Sequence, residues 1–110
     1  MEDKVQRAHT EALFRNVNEH IAETAERFDA DSTAFVCECA DPTCADRVEA
    51  TLEEYEEVRA DATTFLLVPG HAHADIERVR EDRGRFHVVE KIHAAVRATV
   101  KRLDPRAEPA

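Results

Sequence analysis

All three cysteines of this 110-residue chain lie within eight residues, in Phe35-Val36-Cys37-Glu38-Cys39-Ala40-Asp41-Pro42-Thr43-Cys44. A Pro69-Gly70-His71 turn follows about 25 residues further on. Three soft thiolates held close together and one imidazole brought in from elsewhere make up the donor set of a tetrahedral Cys3His zinc site. Such a site restricts the fold, because two segments far apart in sequence must converge on one point. It also suits a chain of this length, which buries a core of marginal stability and gains from a metal staple.

The alternative for the cysteines is burial as three small hydrophobes, since free Cys is often buried. Clustering of all three in one short stretch favours ligation. In an extended chain Cys37 and Cys39 share a face, and the Asp41-Pro42 turn signal brings Cys44 back toward them. His71 is the preferred fourth ligand because it directly follows a strand-ending turn; His73, two residues on, is the fallback. His87 reads as a hairpin residue, and His9, His20 and His93 fall on predicted helices. Glu38, Asp41 and Asp46 are possible oxygen donors, but three thiolates favour completion by nitrogen. The expected metal is zinc, and the same donors suit iron.

Coordination number sets the role. Four protein ligands close the site and make the zinc structural. Three ligands and a water would leave a position for hydrolytic chemistry, with His71, His73 and Asp75 as neighbouring groups. A third reading is a thiol-based redox sensor that releases zinc on oxidation of Cys37, Cys39 or Cys44. The structural reading is preferred, because the sequence holds no nucleophile elbow and no His-Glu-x-x-His motif. It makes the chain a zinc-binding protein-interaction or regulatory module rather than an enzyme, with no catalytic residues assigned.

Composition narrows the rest. Only Gly70 and Gly84 are present, too few for a P-loop or dinucleotide turn. Trp is absent and Tyr55 is the single tyrosine, so there is no base-stacking platform. The formal net charge of −9 opposes nucleic-acid binding. Charge is unevenly placed: Glu38 to Asp61 holds nine acids against two bases, and Arg78 to Arg106 holds nine bases against four acids. The two stretches can attract each other within one chain or between two copies. The expected partners are therefore another protein or a second copy. The charged start Met1-Glu2-Asp3-Lys4 is unlike a secretory signal, and no apolar run approaches the ~18 residues of a membrane span. A cytoplasmic location is expected, where the thiols stay reduced.

Along the chain, Val5, Ala8, Leu13, Val17, Ile21, Ala25 and Phe28 recur at helical spacing, with Phe14 beside them, and predict a helix over 3–28. Residues 33–37 and 63–68 read as strands and 46–50 as a short return strand. Thr51-Leu52-Glu53-Glu54 is a capping box that starts a helix ending near Ala60, with Leu52, Tyr55 and Val58 inward. Ile76–Val79 and Phe86–Val89 form a hairpin with Gly84 at a positive φ. Residues 92–103 predict a C-terminal helix serving as packing element or dimer arm. The fold class is α+β: a long N-terminal helix packed on a small, mostly antiparallel sheet, zinc-stapled. It forms one domain over 1–110, with its core at about 11–91 and a flexible tail over 104–110.

Several of these segments form a pattern. Phe14-Arg15-x-Val17-Asn18-Glu19, Phe35-Val36-Cys37-Glu38-Cys39 with Cys44, Glu54-Tyr55-Glu56-x-Val58-Arg59, Pro69-Gly70-His71 and Val88-Val89-Glu90-Lys91 together resemble a group of short bacterial proteins common in high-GC actinobacterial genomes. The resemblance covers roughly residues 11–91 and carries no assigned activity. It implies that Cys37, Cys39, Cys44 and His71 act as one site.

Overall fold

The structure, a computed structural model, describes residues 2–107. Helix α1 (Glu2–Arg27) is followed by β1 (Thr33–Val36), β2 (Arg47–Ala50), α2 (Leu52–Arg59), β3 (Thr64–Leu67), β4 (Glu77–Asp82), β5 (His87–Lys91) and α3 (Ala94–Arg102). This is the α+β class read from the sequence, with every strand pair antiparallel. The strands form two sheets rather than one: β1-β2, and a three-stranded sheet in the order β3-β5-β4.

Local chemistry accounts for the element ends. Asp29 takes a left-handed φ of 53° and closes α1. Ala30 N donates to Ala25 O and Asp29 N to Glu26 O, which satisfies the last carbonyls in a Schellman pattern. At α2 the capping box is complete. Thr51 Oγ1 accepts from Glu54 N at 3.0 Å, and Glu54 Oε1 accepts from Thr51 N at 2.9 Å. Gly84 has φ 77° in the β4–β5 turn, and a bulge interrupts the pairing between Val79 and Glu81.

The three-stranded sheet is covered on both faces. Phe65, Leu67 and Val89 face Ala8, Ile76, Val96 and Val100, so α1 and α3 close that side. Leu66 and Val88 face Phe35, Val48, Tyr55 and Val58, so α2 and the small sheet close the other. A strand buried on both faces reads as an unbroken apolar run, as Thr64–Leu67 does. On the second side the Phe35 and Tyr55 rings stack with centroids 4.6 Å apart, and Tyr55 Oη donates to Glu19. Helix α3 is part of this core, with Val96 and Val100 both fully buried.

Helix α1 turns a different face inward than its large apolar residues suggest. Leu13, Val17 and Phe28 are exposed, whereas Glu11, Arg15 and Asn18 are fully buried among small alanines. The reason is a row of polar anchors at helical spacing, each tied to a different segment. Glu11 meets Lys91. Arg15 donates to Ala62 O at 2.6 Å and Val100 O at 2.8 Å, and its guanidinium covers the Phe65 ring. Asn18 exchanges hydrogen bonds with the Val36 backbone. These partners offset part of the usual cost of placing such groups inside.

The acidic and basic stretches meet within the chain. Arg85 and Arg83 pair with Glu54 at 2.6 and 3.2 Å, and Arg106 pairs with Glu19 and Glu56 at 2.5 and 2.8 Å. Arg59 pairs with Asp104 at 2.5 Å. The first residues of the 104–110 tail are thus tied down, and 108–110 lie outside the described residues. Among the described residues no helix is long and apolar enough to cross a membrane.

Candidate metal centre

An extended segment and two turns converge on one point. Beyond β1 the chain stays extended, and Cys37 N donates to Asp46 O at 3.1 Å. Asp41 then folds the chain back. Its Oδ1 accepts from Thr43 N at 2.9 Å and from Thr43 Oγ1 at 2.7 Å, and its carbonyl accepts from Cys44 N at 3.1 Å. The second turn follows β3. His71 N donates to Val68 O at 3.1 Å across Pro69 and Gly70, and Gly70 has φ 89°. Pro at the second place and a positive-φ glycine at the third are what a type II turn requires.

One donor atom from each of Cys37, Cys39, Cys44 and His71 lies within 4.8 Å of all the others, and this group could hold a metal ion. His71 Nδ1 lies 3.5 Å from Cys37 Sγ and 3.7 Å from Cys44 Sγ. A tetrahedral zinc with bonds of ~2.3 Å to sulfur and ~2.0–2.1 Å to nitrogen has S···N edges of about 3.6 Å, so both spacings fit. The three cysteines are free of disulfides. Cys37 and Cys39 are each 1% exposed, and Cys44 and His71 are half-buried.

The surroundings suit thiolates only in company with a cation. Burial pushes the Cys37 thiol well up and the Cys39 thiol up, and the neighbouring sulfurs oppose ionisation of Cys37 further. One backbone donor partly offsets this, with Val68 N donating to Cys37 Sγ at 3.2 Å. On the far side of the imidazole, His71 Nε2 lies 3.5 Å from Asp46 Oδ2. A carboxylate on one ring nitrogen leaves the other free to ligate, the usual outer arrangement of a metal-bound histidine.

The fallback ligand, His73, is not in this group. Its backbone holds the next turn instead: His73 N donates to Glu77 Oε2 at 2.8 Å, and its carbonyl accepts from Ile76 N and Glu77 N. His87 lies 3.4 Å from Asp82 on the hairpin, and His93 caps α3 with no side-chain hydrogen bond. Of the candidate carboxylates, Asp41 is engaged in its own turn and Asp46 on the outer nitrogen of His71.

Glu38 has a role that sequence reasoning missed. Standing between Cys37 and Cys39 on an extended chain, it points to the opposite side. There it is fully buried. Leu66 N donates to Glu38 Oε1 at 2.9 Å, Asn18 Nδ2 to Oε2 at 2.7 Å, and Glu38 N donates to Leu66 O at 2.8 Å. Its carboxylate thereby extends the hydrogen bonding of β3 and joins the two sheets beside the cysteines. The period-2 alternation was the available signal. Replacing Glu38 with Ala strands the Leu66 and Asn18 donors in the interior and is expected to cost about 2–4 kcal/mol, read as a lowered urea midpoint of the metal-loaded protein.

No protein-family model, no curated protein and no solved structure matches this chain.

Proposed function

We propose that this chain is a small cytoplasmic zinc protein in which Cys37, Cys39, Cys44 and His71 hold one structural zinc ion, and that it serves as a protein-interaction or regulatory module. The observation that carries the reading is the convergence of three sulfurs and one imidazole nitrogen within 4.8 Å. Four protein donors complete a tetrahedron, so the zinc has no position left for a substrate or a reactive water. The resemblance of residues 11–91 to the short actinobacterial proteins groups the same four residues. His71 enters through Nδ1, with Asp46 on Nε2. The ion ties the β1 extension to the end of β3, two segments otherwise linked here by Glu38.

The test is elemental analysis with X-ray absorption on the purified protein. One zinc per chain is expected, with three sulfurs at ~2.3 Å and one nitrogen at ~2.0–2.1 Å. A first shell containing a water or carboxylate oxygen would overturn the closed structural site and support hydrolytic chemistry. Metal content near zero in protein purified without chelators would overturn metal binding itself. Iron in place of zinc would keep the ligand set and change the ion.

A further inference from the structure

Helix α1 buries two of its charges and leaves large apolar side chains outside. Glu11 and Arg15 are fully buried, while Leu13 is 61%, Val17 40% and Phe28 75% exposed. At 100° per residue, Leu13, Val17, His20, Ile21, Thr24 and Phe28 fall along one outward strip, and no Asp, Glu, Lys or Arg interrupts it. In a chain that is 35% charged, a charge-free strip on the longest helix is unexpected for a surface that meets only water. The exposure of Phe28 is not fraying. It follows the last turn of α1 directly and is fixed by the Schellman closure at Asp29. Beside it runs a shallow apolar groove of about 570 Å³, whose lining includes Ile21, Phe28, Ala30 and Thr33.

We propose that this strip is the contact surface for a second copy of the same chain, with the two α1 helices antiparallel. The order of residues is self-complementary about a twofold axis between His20 and Ile21. Leu13 then opposes Phe28 of the second copy and enters the groove beside it, Val17 opposes Thr24, and His20 opposes Ile21. Each contact occurs twice, as an isologous interface requires. Apolar residues at three- and four-residue steps also suit helix pairing. In this register Glu23 stands level with Asn18 and Arg27 with Phe14, and no two carboxylates of the paired helices stand level with one another. The seam from Leu13 to Phe28 is about 22 Å long and one helix wide. That is less than the ~800 Å² per partner of a standard interface, so the dimer belongs to the weak, concentration-dependent class. The net charge of −9 on each copy opposes association; added salt screens that repulsion and tightens the pair.

The test is sedimentation velocity on the full zinc-loaded chain from micromolar to near-millimolar concentration, with zinc content measured in each sample. The wild type is expected to shift from monomer to dimer as concentration rises, more readily at high salt. Leu13→Lys and Phe28→Glu, both at exposed positions, are each expected to weaken the dimer at least about tenfold. Mixing the two variants is expected to restore association, because the antiparallel register sets Lys against Glu at one end and leaves Phe28 against Leu13 at the other. A wild type that stays monomeric throughout, or variants that dimerise as well as the wild type, would overturn the proposal. Variants that lose self-association and fail to rescue each other would overturn the antiparallel pairing. Since zinc is measured separately, failure of the dimer and failure of the zinc site are distinguishable.

Discussion

Removal of the metal by a chelator at neutral pH is expected to abolish the cooperative thermal transition, or to lower its midpoint by at least about 20 °C, corresponding to roughly 4–5 kcal/mol in a domain of this size. Structural zinc in small domains binds with an apparent ~10–16 kcal/mol, all of it coupled to folding, whereas a whole domain is stable by only ~5–15 kcal/mol. The geometry shows where the loss falls. Cys37 and Cys39 are buried in the same cluster as Phe65, Leu67, Val96 and Val100. Burial there disfavours the Cys37 and Cys39 thiolates, so without the metal those two sulfurs lose the cation that holds them ionised and keep only weak mutual contacts. The loop 40–46 would then keep only its Asp41 turn and the Cys37–Asp46 hydrogen bond. His71 would keep only its turn and the Asp46 contact. Thermal melts followed by circular dichroism, before and after chelation and again after zinc is returned, provide the measurement. An unchanged melt in protein verified to be metal-free would refute a structural role for the ion.

What the sequence conveyed, it conveyed through short-range chemistry. The capping box at Thr51, the Pro69-Gly70 turn, the Asp41 turn and the positive-φ glycine at 84 each specify a local geometry that few other residues satisfy, and each is present. The four donors at 37, 39, 44 and 71 come together because those turns place them. The inward face of α1 was not legible. Its burial depends on partners distant in sequence, the carbonyls of Ala62 and Val100, the Val36 backbone and Lys91, and a helical-spacing argument sees only the apolar residues. Splitting of the strands into two sheets was hidden for a similar reason. Between β1 and β3 the ladder is continued by one carboxylate, Glu38, in place of a run of backbone pairs. Long-range polar satisfaction leaves no periodicity behind.

One such partner gives the second large effect. Lys91, Glu11 and Glu77 have fully buried side chains, and the Lys91 ammonium bonds both carboxylates while resting 4.5 Å from the Phe65 ring centroid. Lys91→Met keeps the volume and removes the cation. Two carboxyl groups are left facing each other without a counter-charge, and a loss of about 3–5 kcal/mol is expected. Glu77 also accepts from His73 N, so the turn after His71 should loosen and zinc should exchange faster. Adding Glu11→Gln and Glu77→Gln to Lys91→Met should recover much of the loss, since it is the unpaired charge that costs, not the missing bond. The same triad sets a pH dependence. Burial is the largest influence on Glu11 and lifts it to about 8; Glu77 pushes the same way, and Lys91 pulls against both. A folded chain therefore holds a proton that the unfolded chain, with an ordinary carboxyl near 4.5, has released at neutral pH. With more protons bound when folded, stability falls as pH rises through this window and levels off above about 8, with a slope approaching the one-proton limit of about 1.4 kcal/mol per pH unit. Urea titrations of the zinc-loaded protein between pH 6.5 and 8.5 would show the slope, and Glu11→Gln, which mimics the protonated form, should flatten it. A flat wild-type profile, or an equal slope in Glu11→Gln, would mean that Lys91 neutralises both carboxylates and that the proton resides elsewhere.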